Sequence, residues 1–322
     1  MYTTPAVAGD VVYVGSCAGT FWAFDTQTGE VLWTYDIRDA WGTRVNFHGN
    51  PLITDSLIIT GCDGSGGGHI FGFAGATGDV LWHHSDERGF PCDLAGWGSN
   101  VYAVTISDVL TCYDVNSGEV RWTFTGGPVR DSARWSGSPV IAGRRIFFGP
   151  RDGFVYALDV DSGNVIWERE MPAPVTTSIV VDASALMLGT KDGTMHRLDQ
   201  GTGEILAEIA LGARPRWRPL LVDHTLMVLV AGEREIVAVD DSLSGVLWRR
   251  QFDHQVMSDR PYLWEGQVLV GDSAGTLWSL SPEDGSVAWT VKLEGALRGI
   301  GSADSAIIVG TLGGMVYAVR VR

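Results

Sequence analysis

The nine-residue string D-T-Q-T-G-E-V-L-W at residues 25–33 returns along the chain with its internal spacing kept. It recurs as D-V-N-S-G-E-V-R-W at 114–122, as D-V-D-S-G-N-V-I-W at 159–167, and again at 240–248. Looser copies lie at 74–82, 199–207 and 281–289. Each copy closes, eight residues after its start, on Trp33, Trp82, Trp122, Trp167, Trp248 or Trp289, and the 199–207 copy closes on Ala207. A glycine stands four residues before that position, except where Gly245 is displaced by one. A period of about 41 residues points to one supersecondary unit repeated, because a unit this small buries its apolar face only against its neighbours.

Each copy reads as strand, turn, strand. Phe21–Phe24 alternates into Asp25, Thr28-Gly29 is a turn, and Glu30–Tyr35 is apolar and β-prone. Upstream, residues 5–7 and 11–14 flank the turn Ala8-Gly9-Asp10. Four short strands joined by tight turns form an antiparallel blade, and blades must stack around an axis to bury both faces. The fold class is therefore all-β: an eight-bladed β-propeller of four-stranded antiparallel blades, the last one incomplete. One domain over residues 1–322 is expected, with blades at 3–36, 50–84, 90–124, 137–169, 174–209, 218–251, 260–292 and 299–322. The last unit lacks a fourth strand, so a three-stranded closing blade is expected, or closure by a further segment.

The Trp acts as the spacer between blades. Burying about 200 Å² of indole is worth about 5 kcal/mol as an upper estimate. Two residues before the Asp position, the chain carries Ala23, Gly72, Cys112, Ala157, Ala238, Ser279 and Ala318, all small enough to leave room for it. Arg197 is the exception, and its unit is the one that has Ala207 in place of Trp. This paired departure predicts a contact rebuilt around the Arg stem.

The net charge of −15 argues against nucleic acid as a partner, since an acidic surface repels phosphate. No apolar run approaches the ~20 residues of a membrane helix, and a monomer is expected. Met1-Tyr2-Thr3 leads straight into the first strand with no signal peptide; if a leader has been removed, an extracytoplasmic location follows. Cys17, Cys62, Cys92 and Cys112 form no C-x-x-C or adjacent pair, and Cys112 occupies the small-residue position of its repeat as a core side chain. The Gly-rich run at 63–69 is followed by β residues instead of a helix, so it reads as a hairpin tip and not as a phosphate loop.

The connections between blades should run from the rim to the axis and meet at one mouth of a central channel. They comprise residues 36–50, 84–93, 125–138, 170–178, 210–218, 252–260 and 292–299. These 74 residues hold ten of the 21 arginines, and they net +1 where the rest of the chain nets −16. Arginine keeps its charge and offers a planar fork suited to carboxylate or phosphate. Arg44, Arg130, Arg134, Arg216, Arg218, Arg260 and Arg298 are the candidate anchors for an acidic ligand or protein partner, with Trp135 and Trp217 beside them for stacking. The alternative is that these arginines pair with Asp93, Asp131 and Asp259 and satisfy a polar channel. His48, in the longest connection, is a candidate partner for Asp131 or Asp259 in an acid–base pair. No H-E-x-x-H or Cys/His cluster suggests a metal.

The repeat resembles the PQQ-like propeller family, whose motif is A-x-D-x-x-T-G-x-x-x-W, and the resemblance covers the whole chain. That family includes quinoprotein alcohol dehydrogenases, BamB-like outer-membrane assembly lipoproteins and sensor domains attached to bacterial kinases. The resemblance implies blades, and it leaves activity open because members share the fold and differ in chemistry. Quinoprotein sites resemble a stacked Trp floor, an adjacent-cysteine disulfide and a calcium held by acidic and amide groups. This chain has no adjacent cysteines and lacks the long insertions that build such a site, so no cofactor is expected, bound PQQ included. The leading expectation is a non-catalytic binding or scaffold protein that uses the Arg-rich mouth. A small-molecule sensor domain comes second, and a quinoprotein-type oxidoreductase or lyase third.

Overall fold

The computed structural model describes residues 3–42, 45–64, 67–130, 137–230, 232, 234–258, 260–303 and 306–321. Ala6–Ala8, Val11–Gly15, Thr20–Asp25 and Val31–Asp36 pair in chain order as the first antiparallel sheet. Six more four-stranded sheets follow the same order, and Leu297–Ala303, Ala306–Thr311 and Val316–Val319 make a three-stranded eighth. These are the blades of an eight-bladed β-propeller with a short last blade. The sheets fall into two compact units. One holds residues 1–125, 161–163 and 298–322, the other residues 126–160 and 164–297.

In the first unit the repeat motif is a lock between successive sheets. Trp33 pairs in register with Ala23, Trp82 with Gly72 and Trp122 with Cys112, so each indole lies over the small residue of its own sheet. Its other edge meets the following repeat. Trp33 Nε1 donates to Gly75 O at 2.9 Å and Trp82 Nε1 to Val115 O at 3.0 Å. A Cβ placed on Gly78, Gly118 or Gly163 would stand 2.6 Å from the indole of Trp33, Trp82 or Trp122. These glycines also have φ between 69° and 77°, which costs other residues strain, so both chemistry and space select them. The second unit repeats the device. Trp167 covers Ala157 and donates to Gln200 O at 3.1 Å, and Trp248 covers Ala238 and donates to Pro282 O at 2.9 Å. Their seats are Gly203 and Gly285. Trp289 pairs with Ser279 and is half-buried.

The departure at Arg197 and Ala207 is a single contact: the two residues are cross-strand partners. Arg197 Nη2 donates to Asp182 Oδ2 at 3.2 Å, so the guanidinium turns to a carboxylate where the other sheets hold an indole. The following turn changes with it. Residues 240–245 have Leu243 at φ 61°, 4% exposed, in one apolar cluster with Ala207, Val180 and Leu221. A leucine from the next turn fills the space that the missing Trp leaves, which explains why Gly245 is shifted.

Where the repeat starts with Asp25, Asp114, Asp199 or Asp240, that carboxylate closes the turn. Asp25 Oδ1 accepts from the N–H groups of Gln27 at 2.9 Å and Thr28 at 2.7 Å; Asp199 Oδ1 accepts from Gly201 and Thr202 at 2.8 Å each. The Thr28 and Thr202 amides hold these carboxyls below the usual carboxylate value. At Asp240 partial burial acts against this, but the Ser242 and Ser244 hydroxyls and the Ser244 and Gly245 amides bring it to about 2. A carboxyl whose folded-state pKa is depressed stabilises the fold above its unfolded value and loses that contribution as pH falls through the folded one. The urea midpoint of the wild type should therefore drop between about pH 5 and pH 2. A triple Asp25→Asn, Asp114→Asn, Asp199→Asn variant should start lower at pH 6 and show a shallower drop.

The long first connection is more ordered than a loop. Ile37–Trp41 is a short helix capped by Asp36, whose side chain accepts from the N–H groups of Arg38 and Asp39. Val45–Asn46 then pairs with Asp63–Gly64, the start of the Gly-rich run, as a separate two-stranded piece. Residues 65–66 lie outside the described residues.

Candidate functional site

In the second unit the connection that carries Arg214, Arg216 and Arg218 runs into the strand Pro215–Val222. This strand pairs with Thr225–Val230, and its register shifts between Arg216 and Leu220. Trp217 sits inside the shift at φ 61°, a left-handed backbone that costs a bulky residue about 1–2 kcal/mol. The bulge is held from the preceding sheet. Ser178 N–H donates to Trp217 O at 3.0 Å, Thr176 Oγ1 donates to Pro215 O at 2.8 Å, and Thr177 bridges Trp217 in parallel. The Trp217 ring packs against the cluster of Val222, Trp248 and Val268, and the Arg216 guanidinium lies 5.3 Å over it. Arg216, Trp217 and Arg218 are all half-buried. A bulge re-aims the side chains beside it, and a strained aromatic fixed by its neighbours is a rigid support for a cation.

The other expected anchors behave differently. Arg130 Nη1 donates to Glu170 Oε1 at 2.7 Å, and its guanidinium lies 5.3 Å over Phe154. Both ends of that pair are more than half exposed, where an ion pair is worth about 0–1 kcal/mol. Arg260 is half-buried, with its Nε buried and without a hydrogen-bond partner. Arg44, Asp131, Arg134, Trp135 and Asp259 lie outside the described residues.

In the first unit, His48 takes a partner that the spacing did not suggest. Its Nδ1 stands 2.5 Å from Asp63 Oδ1, and Asp63 is buried. The carboxylate fixes the ring's orientation and tautomer. Asn50 is tied to Asp93, donating its N–H to Oδ1 at 2.9 Å and Nδ2 to Oδ2 at 3.1 Å, and its Oδ1 accepts from Thr4 N–H at 2.6 Å. Arg298 is half-buried at the entry to the eighth sheet. Asp63 and Asn50 escaped the sequence reading because each bonds across about 15 to 46 residues. The one local signal was an Asp just before the second-hairpin glycine, repeated at Asp152-Gly153 and Asp192-Gly193.

None of the four cysteines is in a disulfide. Burial raises Cys17 and pushes Cys62 and Cys112 to about 12, so these thiols stay protonated at neutral pH. Among the described residues no group of three or more His, Cys, Asp or Glu side chains is placed to share a metal ion.

The pattern of the family described as "Outer membrane protein assembly factor BamB" matches residues 1–89, 66–219 and 191–322, which together span the chain. The chain belongs to the BamB family of PQQ-like repeat proteins. It is 25% identical over 335 residues to the outer membrane protein assembly factor BamB of Burkholderia pseudomallei (strain K96243), covering 99% of this chain and 84% of that one. The crystal structure of BamB from Moraxella catarrhalis superposes with a TM-score of 0.81 at 18% identity, covering 98% of this chain and 95% of that one. The quinohemoprotein alcohol dehydrogenase of Comamonas testosteroni gives 0.72 at 13% identity, over 96% of this chain and 70% of that one. At these identities the structural likenesses show the shared propeller. In this BamB-family chain no helix among the described residues is long and apolar enough to cross a membrane.

Proposed function

We propose that this protein is a protein-binding scaffold in outer membrane protein assembly, and that it holds an acidic segment of a partner protein against Arg216, Trp217 and Arg218. The name shared by its relatives supports the assembly role and a location at the outer membrane outside the cytoplasm. The observation that carries the site is the 215–220 bulge, where two arginines flank a Trp in left-handed backbone, with Ser178 and Thr177 against the Trp and Thr176 on Pro215. Natural chains keep such strain where geometry serves a role. Paired guanidinium forks recognise carboxylates in preference to neutral groups, and they stand out on a chain whose net charge is −15. Arg260 and Arg298 are the further half-buried arginines of the expected set, each in its own unit.

An Arg216→Gln, Arg218→Gln variant should fold as the wild type does and bind a Glu/Asp-rich dodecapeptide at least tenfold more weakly by calorimetry. The wild-type affinity should fall as salt rises from 50 to 200 mM, as a charge-steered contact requires. Equal binding by both proteins would reject the site and leave the scaffold role to another surface.

A further inference from the structure

The strand Thr194–Asp199 carries a histidine where its counterparts in the fourth and seventh sheets carry a phenol or an indole. His196 pairs across the sheet with Glu208, as Tyr156 pairs with Glu168 and Trp278 with Thr290. Tyr156 OH donates to Asp152 Oδ2 at 2.7 Å and Trp278 Nε1 to Asp272 Oδ2 at 2.9 Å, so each ties its strand to the hairpin before it. His196 makes the same tie to Thr190, with 2.8 Å between Nε2 and Oγ1. Phenol and indole keep their charge near neutral pH, and imidazole does not. This hairpin therefore holds the proton-sensitive version of a repeated contact.

The contact runs on at both ends. His196 Nδ1 stands 2.7 Å from Glu208 Oε1, and Thr190 Oγ1 donates to Asp192 Oδ1 at 2.7 Å. Partial burial acts to raise Asp192, but the Thr190 hydroxyl, the Thr194 amide and hydroxyl and the nearby His196 leave it below the usual carboxylate value. The chain Glu208–His196–Thr190–Asp192 has three gaps, and each needs a hydrogen. With carboxylates at both ends, Thr190 supplies one and a neutral imidazole a second; the third is the other ring N–H of an imidazolium. His196 is 1% exposed and Thr190 0%. The remaining charged groups around the strand turn elsewhere. Lys191 of the hairpin is exposed, Arg197 donates to Asp182, and Arg169 of the preceding sheet donates to Gly203 O at 2.8 Å. That sheet otherwise meets this one through Val155 and Met171 beside Leu198, and the following sheet meets it through Leu226 and Val228 beside Met195.

The same hairpin is bonded to the segment that holds the Trp217 bulge. Gly189 O accepts from Thr176 N–H at 2.8 Å, Gly189 N–H donates to Thr177 Oγ1 at 2.8 Å, and Lys191 N–H donates to Pro174 O at 2.8 Å. Val175 bridges Thr190 itself. Thr176, Thr177 and Ser178 are the residues that meet Pro215 and Trp217. Gly189 also lies directly on Pro215, where a built Cβ would stand 2.4 Å from the proline ring. Taking Arg216, Trp217 and Arg218 as the acidic-segment site, we propose that the proton on His196 sets the position of the Trp217 bulge through Thr190 and residues 174–178, and that its loss weakens the hold on the segment. His196 is then a positioning residue. Once the ring is neutral one of the three links opens, and the hairpin that braces the bulge takes a second arrangement. Affinity falls as pH rises.

The Glu/Asp-rich dodecapeptide is titrated by calorimetry into the 322-residue protein at about pH 6 and about pH 8, a span over which its carboxylates and the arginines stay charged. Wild-type binding should be about fivefold or more weaker at the higher pH. Glu208 is 48% exposed, so Glu208→Gln should fold; it removes the anion beside the ring and should move the loss of affinity to lower pH. His196→Gln offers Thr190 an amide N–H at either pH and should bind equally at both. Without peptide, protection of the Thr176, Ser178 and Gly189 amides from exchange, corrected for the intrinsic rate, should fall at the higher pH in the wild type and stay constant in His196→Gln. Equal protection at the two pH values, an affinity profile unmoved by Glu208→Gln, or a pH dependence that survives His196→Gln would each overturn the proposal. A peptide that binds at neither pH, with protection that still changes, would instead remove the acidic-segment reading and leave the proton link standing.

Discussion

Replacing Trp82 by Ala is expected to lower the unfolding free energy by about 3–5 kcal/mol, the range for deleting a buried aromatic. The side chain is 7% exposed, lies over Gly72 and rests on Gly118, so its removal opens both a gap within its sheet and a gap toward the next repeat. Urea unfolding followed by circular dichroism measures the loss. The seat can be tested from the other side. Gly118→Ala should destabilise strongly, because the new methyl meets the indole and the backbone at φ 70° resists a side chain. In the Trp82→Ala background the same change should cost only the conformational part, about 1–2 kcal/mol. Equal costs in the two backgrounds would show that Trp82 and Gly118 are not energetically coupled. Trp289, half-buried where Trp82 is buried, should lose less when changed to Ala.

The second large effect is expected at Asp272. This carboxylate is 0% exposed and serves three donors: Oδ1 accepts from the N–H groups of Ala274 at 2.9 Å and Thr276 at 2.8 Å, and Oδ2 accepts from Trp278 Nε1 at 2.9 Å. Asp272→Ala leaves all three donors without their acceptor in a half-buried hairpin, where each unpaired buried group costs about 1–3 kcal/mol. A loss of at least 3 kcal/mol should appear in urea midpoints. Asp272→Asn keeps one carbonyl for the two backbone donors but turns an NH₂ toward the Trp278 N–H, so an intermediate loss is expected. A near-neutral Asp272→Ala would mean that the hairpin is held by its backbone bonds alone. Asp152 has the same role in its own hairpin, accepting from Gly127, Phe154 and Tyr156.

The repeat was legible because its signals are local. Asp, Gly and Trp stand at fixed offsets within nine residues, and each acts on its own turn, on the strand beside it or on the same motif one repeat on. The link between Arg197 and Ala207 was legible for the same reason: two exceptions in one unit implied one contact, and the register makes them direct partners. Leu243 was not read as the replacement for the indole. It belongs to the next repeat, and its left-handed backbone follows from a turn whose geometry no spacing announces. The candidate site shows the same division. Composition placed arginines in the connections, while the bulge that sets Trp217 between two of them is held by bonds from residues 176–178, about 40 positions away.

The sequence by itself determined the sheet type, the number of repeats, the Trp-bearing outer strands and the short last blade, because periodic apolar and turn residues dictate local structure and nearest-neighbour packing. The tertiary structure alone decided the partner of His48, the buried carboxylates beneath the hairpins and the bulge at Trp217. Hydrogen bonds and pockets of that kind join residues tens to hundreds of positions apart, and such distances are set by how the blades pack and not by any pattern along the chain.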